Sequence, residues 1–340
     1  MLIGRVLAIV LCMAGALDGG AQAQDFYANK TITMIIGGGA GAGFDLYGRA
    51  LARHYGNHIP GRPNIVVQNM PAAGSVALAN HMYARAPRDG LTIGMIFPGV
   101  VVGPLLDEKM PATFKPAEFL YLGSANVSIR VCATYRTSKT KTFNDALVQD
   151  TTIGANAPGG SLFDYAYFLR NELKAKFNVV RGYPGSNDIV LAMERGEVEG
   201  LCGLDWSSLQ SQRPHWIKEK AINVILQAGI DTDQNLAALG AAPMWNYVKD
   251  AETRAVLELI VSQQVFGRPF MLPPETPKDR VDVLRKAFDS TMADPAFLAE
   301  AAKMSLDIAP ASGARVQDLV EKLYAAPVSV VSRARKAMVP

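Results

Sequence analysis

The chain has 340 residues, 49% of them hydrophobic and 19% charged, and 34 Lys and Arg against 31 Asp and Glu leave a formal charge of +3. That mild balance, with no basic stripe, argues against nucleic acid as a partner and is compatible with small acidic ligands. Three cysteines are too few for a disulfide framework, so an ordinary hydrophobic core must hold the fold.

The first residues carry an address. Arg5 precedes an apolar stretch from Val6 to Leu17, and Ala21-Gln22-Ala23 supplies small residues for a peptidase. Together they predict a signal peptide over residues 1–23, cleaved near Ala23, and hence an exported, periplasmic protein. The stretch is too short to span a bilayer as a permanent helix, and no later run is apolar for long enough either. Leu11 stands where a small residue would precede a lipidated cysteine, so Cys12 does not read as an anchor.

After the leader comes a strand, Ile32 to Ile36, then the glycine-rich loop Gly37 to Gly43, then a helical stretch from Phe44 to Arg53. Bare backbone followed by unsatisfied helix amides suits an anion. Short apolar runs then alternate with amphipathic segments, the signature of parallel β/α units. Ile65 to Gln68, a helix from about Ser75 to Arg85, and Leu91 to Ile96 complete a first set. A second set comprises Thr152 to Ala155, a helix near Leu162 to Lys174, Asn178 to Val180, a helix near Asp188 to Glu194, a strand Val198 to Cys202, and Ile222 to Leu226. Two longer apolar segments, Tyr121 to Tyr135 and Leu257 to Leu272, sit at either end of the second set and are placed to carry the chain out of one domain and back. Helix-like spacing fills the rest, over Arg280 to Met292, Pro295 to Lys303 and Arg315 to Arg335. The expected architecture is α/β, with a discontinuous first domain (24–125 plus 233–340), an inserted second domain (126–232), and a ligand cleft between them.

The glycine loop also fits a relaxed dinucleotide fingerprint, Gly37-x-Gly39-x-x-Ala42, but the next strand ends in Gln68-Asn69 where an acidic residue would hold the ribose. No Lys-Ser or Lys-Thr pair follows the last glycine, which disfavours a P-loop. No cofactor is therefore expected. Similar strand-to-helix junctions recur at Asn69 to Ser75, Ala157 to Ser161 and Arg181 to Asp188. Any one is an ordinary tight turn, but junctions on both domains allow two to face each other across a cleft. His54 and His58 lack the intervening glutamate of a zinc helix, no Gly-x-Ser-x-Gly elbow occurs, and Asp205 near Cys202 is not a nucleophile with its base, so neither a metal nor catalysis is expected. Asp45 reads as a first-turn residue with Arg49, four positions on, as its helix partner. Cys132 and Cys202 could form a bridge or remain buried thiols; spacing leaves both open.

The ordered series of these stretches resembles a known family. Asp45 and Arg49-Ala50-Leu51-Ala52 after the glycine loop, Val66-Val67-Gln68-Asn69-x-Pro71-Ala72-Ala73-Gly74-Ser75, and Ala86-Pro87-x-Asp89-Gly90-Leu91-Thr92 resemble the solute-binding receptors of tripartite tricarboxylate transporters, the Bug family. Gly154 through Ser161, Tyr183-x-Gly185-Ser186-x-Asp188 and Gly196-Glu197-Val198-Glu199-Gly200 continue the likeness over most of the chain. The stretch Asp205-Trp206-Ser207-Ser208 and the longer glycine loop depart from it. The resemblance implies a Venus-flytrap binding fold of type II character, each domain a mostly parallel sheet flanked by helices, closing on a small organic acid. It implies a first jaw of Gly38, Gly39, Gly41, Gly43 and Phe44 with Ala72, Gly74 and Ser75 beside it. Pro158, Gly159, Gly160 and Ser161 would form the opposing jaw, with Tyr183, Gly185 and Asp188 on the second wall. The implied partners are the membrane subunits of a tripartite transporter, and the expected form is a monomer. A receptor for a signalling partner and an exported enzyme are the alternatives.

Overall fold

The computed structural model describes residues 26–41, 43–156 and 160–340, excepting the side chains of residues 211 and 212. The expected leader lies outside the described residues. The first β/α units are β1 (Thr31–Ile36), α1 (Gly43–Tyr55), β2 (Asn64–Asn69), α2 (Val76–Ala84), β3 (Thr92–Met95), α3 (Pro98–Leu106) and β4 (Leu120–Ser124). The next part runs β5 (Arg130–Tyr135), α4 (Phe143–Val148), β6 (Thr151–Gly154), α5 (Ser161–Leu173), β7 (Phe177–Val180), α6 (Ser186–Arg195), β8 (Gly200–Asp205), α7 (Trp206–Gln212), α8 (His215–Lys218), β9 (Ile222–Ala228), α9 (Gln234–Ala238) and β10 (Ala242–Pro243). The chain closes with α10 (Ala251–Val261), β11 (Pro269–Leu272), α11 (Lys278–Met292), α12 (Pro295–Lys303), β12 (Ala311–Ser312), α13 (Gly313–Tyr324) and α14 (Val328–Ala337).

These strands form two six-stranded sheets, ordered β12-β4-β11-β3-β1-β2 and β10-β9-β5-β8-β6-β7. The α/β class with two helix-flanked sheets is as the sequence implies. Both sheets are mixed: β1 pairs in parallel with β2 and β3, and β6 with β7 and β8, whereas β11 and β5 each pair antiparallel with both their neighbours. The antiparallel members are the strands by which the chain enters the second sheet and returns to the first. Each therefore arrives from the other body and not through a β/α crossover.

Period-two alternation distributes the core. Ile32, Met34 and Ile36 of β1 pack with α1, α11 and α12, while Ile35 faces the opposite side with Leu78 and Met82 of α2. In the second sheet Val131 and Ala133 face Ile189, Val190 and Met193 of α6, and Cys132 faces α5 through Phe168 and Leu169. Cys132 stands directly opposite Cys202 across β5 and β8, their Cα atoms 4.0 Å apart, and the two form a disulfide, which decides the alternative that spacing left open.

Two expected spans differ from the observed elements by more than two residues. The strand expected at Val198 to Cys202 runs over Gly200–Asp205, because β5 pairs with it out to the register Arg130↔Asp205. The helical spacing over Arg315 to Arg335 is divided into α13 and α14 at Pro327, whose ring nitrogen has no N–H to continue the ladder and whose fixed φ starts the next helix. Among the described residues no helix is long and apolar enough to cross a membrane.

Candidate functional site

The parallel strands of both sheets end on loops that open helices, the position at which open α/β sheets take ligands. In the first sheet β1 leads through the glycine loop into α1, and its strands are clamped there: the Gly37 amide donates to Met95 O at 2.9 Å and the Met70 amide to Ile36 O at 2.8 Å. Only glycine fits at 37, since a Cβ there would stand 1.8 Å from Ser75 Oγ. Asp45, 2% exposed, ties the loop to the helix. It accepts from the Gly41 amide (2.8 Å), Arg49 Nε (2.8 Å) and Asn69 Nδ2 (2.9 Å), and Asn69 Nδ2 also reaches Gly38 O (2.9 Å). Burial pushes the Asp45 carboxyl up, but the hydrogen bonds from Arg49, Gly41 and Asn69 outweigh it and hold the group below the usual carboxylate range. The first-turn role and the Arg49 pairing expected of Asp45 are both present.

Gly38 is buried, its backbone close to Phe44 Cβ and to the edge of the Phe97 ring, and the two rings pack at 4.3 Å. Gly41 and Gly43 are exposed and Gly39 is half-buried. Beside them, Ala72 and Gly74 are exposed, and Ala73, Gly74 and Ser75 run through three consecutive left-handed conformations, φ 48°, 59° and 74°. Such a run costs strain at the two non-glycine positions. Ser75 itself is turned inward: it is fully buried, its amide donates to Ala72 O, and its hydroxyl has no partner among the described residues.

In the second sheet Gly160 caps α5, its carbonyl accepting from the Phe163 and Asp164 amides. A Cβ at 160 would meet the Asn156 side chain at 2.2 Å, and Asn156 Oδ1 also accepts from the Phe163 amide. Ser161 opens the helix, half-buried. Pro158 and Gly159 lie outside the described residues. Tyr183 is half-buried beside Gly154, and burial, then Glu197, pushes its phenol up. Gly185 caps α6, and Asp188 is exposed in that helix's first turn.

Between the two sheets stand residues the sequence reading passed over. Arg268, just before β11, lays its guanidinium over the rings of Phe44 (4.3 Å) and Tyr47 (4.7 Å). Burial lowers its pKa, offset only in part by Tyr47, by Asp205 of the second sheet and by Asp307. Arg130, at the start of β5, pairs with Asp205 (3.3 Å) and stacks over Tyr165 (5.0 Å). Gln264, in the turn between α10 and β11, donates to Tyr165 Oη and Ala228 O and accepts from the Arg130 amide (3.2 Å). The available signal was a charge inside an apolar run: Arg130 and Arg268 lie within the two connecting segments picked out above.

A 430 Å³ groove beside this region is lined from both sheets' loops, including Trp206 and Gln210 on one side and Asp307 and Arg315 on the other. A 590 Å³ groove lies instead on the outer side of α1 against β2, lined by Arg49, Arg53 and Arg62, and shares no residue with the glycine loops. Among the described residues no group of three or more His, Cys, Asp or Glu is placed to hold a metal.

No protein-family model matches the sequence, and no curated protein does. Solved structures do. A TctC solute-binding protein from Polaromonas, solved without ligand, matches with a TM-score of 0.70 at 15% identity, over 90% of this chain and 99% of its own. BugD, a periplasmic binding protein, matches at 0.55 and 18% identity, over 92% and 98%. MatC from Rhodopseudomonas palustris, with bound malate, matches at 0.54 and 15% identity, over 91% and 99%. The chain thus has the two-domain fold of the TctC and Bug solute-binding proteins.

Proposed function

We propose that this protein is an extracytoplasmic receptor that captures a small organic carboxylate and presents it to a tripartite tricarboxylate-type membrane transporter. The observation that supports this reading is that glycine-bearing strand-to-helix junctions open helices after parallel strands of both sheets, at Gly37 to Gly43 on the first and at Gly160 and Gly185 on the second. Neutral amides and helix N-termini hold a carboxylate by charge-assisted hydrogen bonds, at a strength that permits release. The proposed contacts are Gly38, Gly39, Gly41, Gly43 and Phe44 with Ala72, Gly74 and Ser75 on the first body, and Pro158, Gly159, Gly160 and Ser161 with Tyr183, Gly185 and Asp188 on the second. The malate held by MatC, which shares the fold, agrees in chemical class. On this reading the exported chain, freed of residues 1–23, acts as a monomer in the periplasm, and it closes by a hinge at the connecting segments without turning its ligand over.

Calorimetric titration of the mature protein with mono-, di- and tricarboxylates tests the assignment. Saturable binding of at least one acid is expected. Binding of amino acids or sugars with none of any organic acid would overturn it.

A further inference from the structure

The Arg268 guanidinium is fixed and yet incompletely used. Its Nη1 donates to Gly267 O, and its face lies on Phe44 and Tyr47. Its Nε is buried without a hydrogen-bond partner, and neither Nε nor Nη2 has an acceptor among the described residues. Those two atoms form the edge that matches both oxygens of a carboxylate. Asp205 of the second sheet acts on Arg268 only from a distance and is already paired with Arg130. Asp307, the other acid that acts on Arg268, is exposed and accepts from Asn126 Nδ2 at 3.1 Å. A buried donor with no acceptor is an expensive arrangement that an arriving anion relieves.

We propose that Arg268 seats the ligand's carboxylate, the Nε–Nη2 edge of its guanidinium gripping both oxygens where the start of α1 faces the second sheet. This inference rests on the receptor reading and names the residue that makes it selective for acids. The carboxylate enters with the cleft open, since Nε is buried in the present arrangement, and the stacked rings of Phe44 and Tyr47 keep the fork aimed while the hinge moves. The glycine loops then supply neutral donors around a charge already anchored.

The test titrates wild type, R268Q and R268K with malate, succinate and citrate, and with malamide as an uncharged probe, after thermal melts have shown each variant folded. R268Q is expected to lose roughly 10- to 100-fold in affinity for the best-bound acid, and R268K to weaken as well, because an ammonium keeps the charge but not the fork. The preference for malate over malamide should collapse in R268Q, which general damage to the cleft would not cause. Wild-type affinity in R268K, or equal weakening of malate and malamide in R268Q, would overturn the role of Arg268 and leave the receptor reading standing. If R268Q does not fold, R268K decides. Failure of wild type to bind any of the three acids would overturn the receptor reading and this inference together.

Discussion

At Asp45 one carboxylate gathers donors from the glycine loop, from α1 and from β2 in a place almost without solvent. Replacing it by asparagine turns an acceptor into a donor facing Arg49 or Gly41, and D45N should lose about 1–3 kcal/mol in urea unfolding at neutral pH. Because the folded carboxyl lies below its usual range, its contribution is complete above the unfolded pKa of about 3.9 and is lost as pH falls toward the folded value. The stability gap between wild type and D45N should therefore narrow on acidification below about pH 4. At Gly37 a methyl group would collide with Ser75, so G37A should both destabilise the protein, by about 1–3 kcal/mol, and weaken carboxylate binding by shifting the loop. S75G removes the obstacle and an unpartnered hydroxyl from a left-handed position. In the G37A background it should restore much of the loss, measured by thermal melt and titration.

At the scale of elements, the β5–β8 pair carries both the disulfide and, at its far end, the Arg130–Asp205 contact. The bridge closes a separation of 70 residues, and the double variant C132S/C202S should lose about 2–4 kcal/mol in denaturant unfolding. Both cysteines point into the core with α5, away from the loops, so carboxylate affinity should survive in the variant at a temperature where it remains folded. The helix starts follow local chemistry: Thr142 and Asp145 make a reciprocal capping box, Asp250 and Ser312 accept from amides in the first turn of α10 and α13, and Asp294 precedes Pro295 at the start of α12. Such signals lie within a few residues of each other, which is why the helices over Arg280 to Met292 and Pro295 to Lys303 were legible, whereas α10 falls where no helix was expected and Arg315 to Arg335 is divided at Pro327.

For the whole molecule, the proposed closure on an acid would stabilise the fold by mass action. A carboxylate present at 100 times its Kd should add about 2.7 kcal/mol to the unfolding free energy, seen as a rise in Tm that sugars do not produce. Small-angle scattering should show a smaller radius of gyration on saturation, and no change on saturation would count against hinge closure. The continuous core that runs from Leu78 and Val101 through Val261 and Phe266 to Ile225 gives the connecting segments a packed base, which suits rotation about a few positions and not a loose tether.

The amino-acid sequence by itself determined the α/β class, the alternation of strands and helices, the glycine loops that open α1, α2, α5 and α6, and the Asp45–Arg49 pairing. All of these rest on interactions between residues near in the chain: sterics at Cβ, capping, and the periods of helix and strand. Tertiary structure alone decided that Cys132 meets Cys202, that the entering and returning strands make both sheets mixed, and that Arg130, Asp205, Gln264 and Arg268 converge between the sheets. Those depend on register and on which segments pack across long separations, and a lone arginine in an apolar run says that something must compensate its charge without saying what. The half-buried, half-used guanidinium of Arg268 became visible only when the fold set it against the rings of α1.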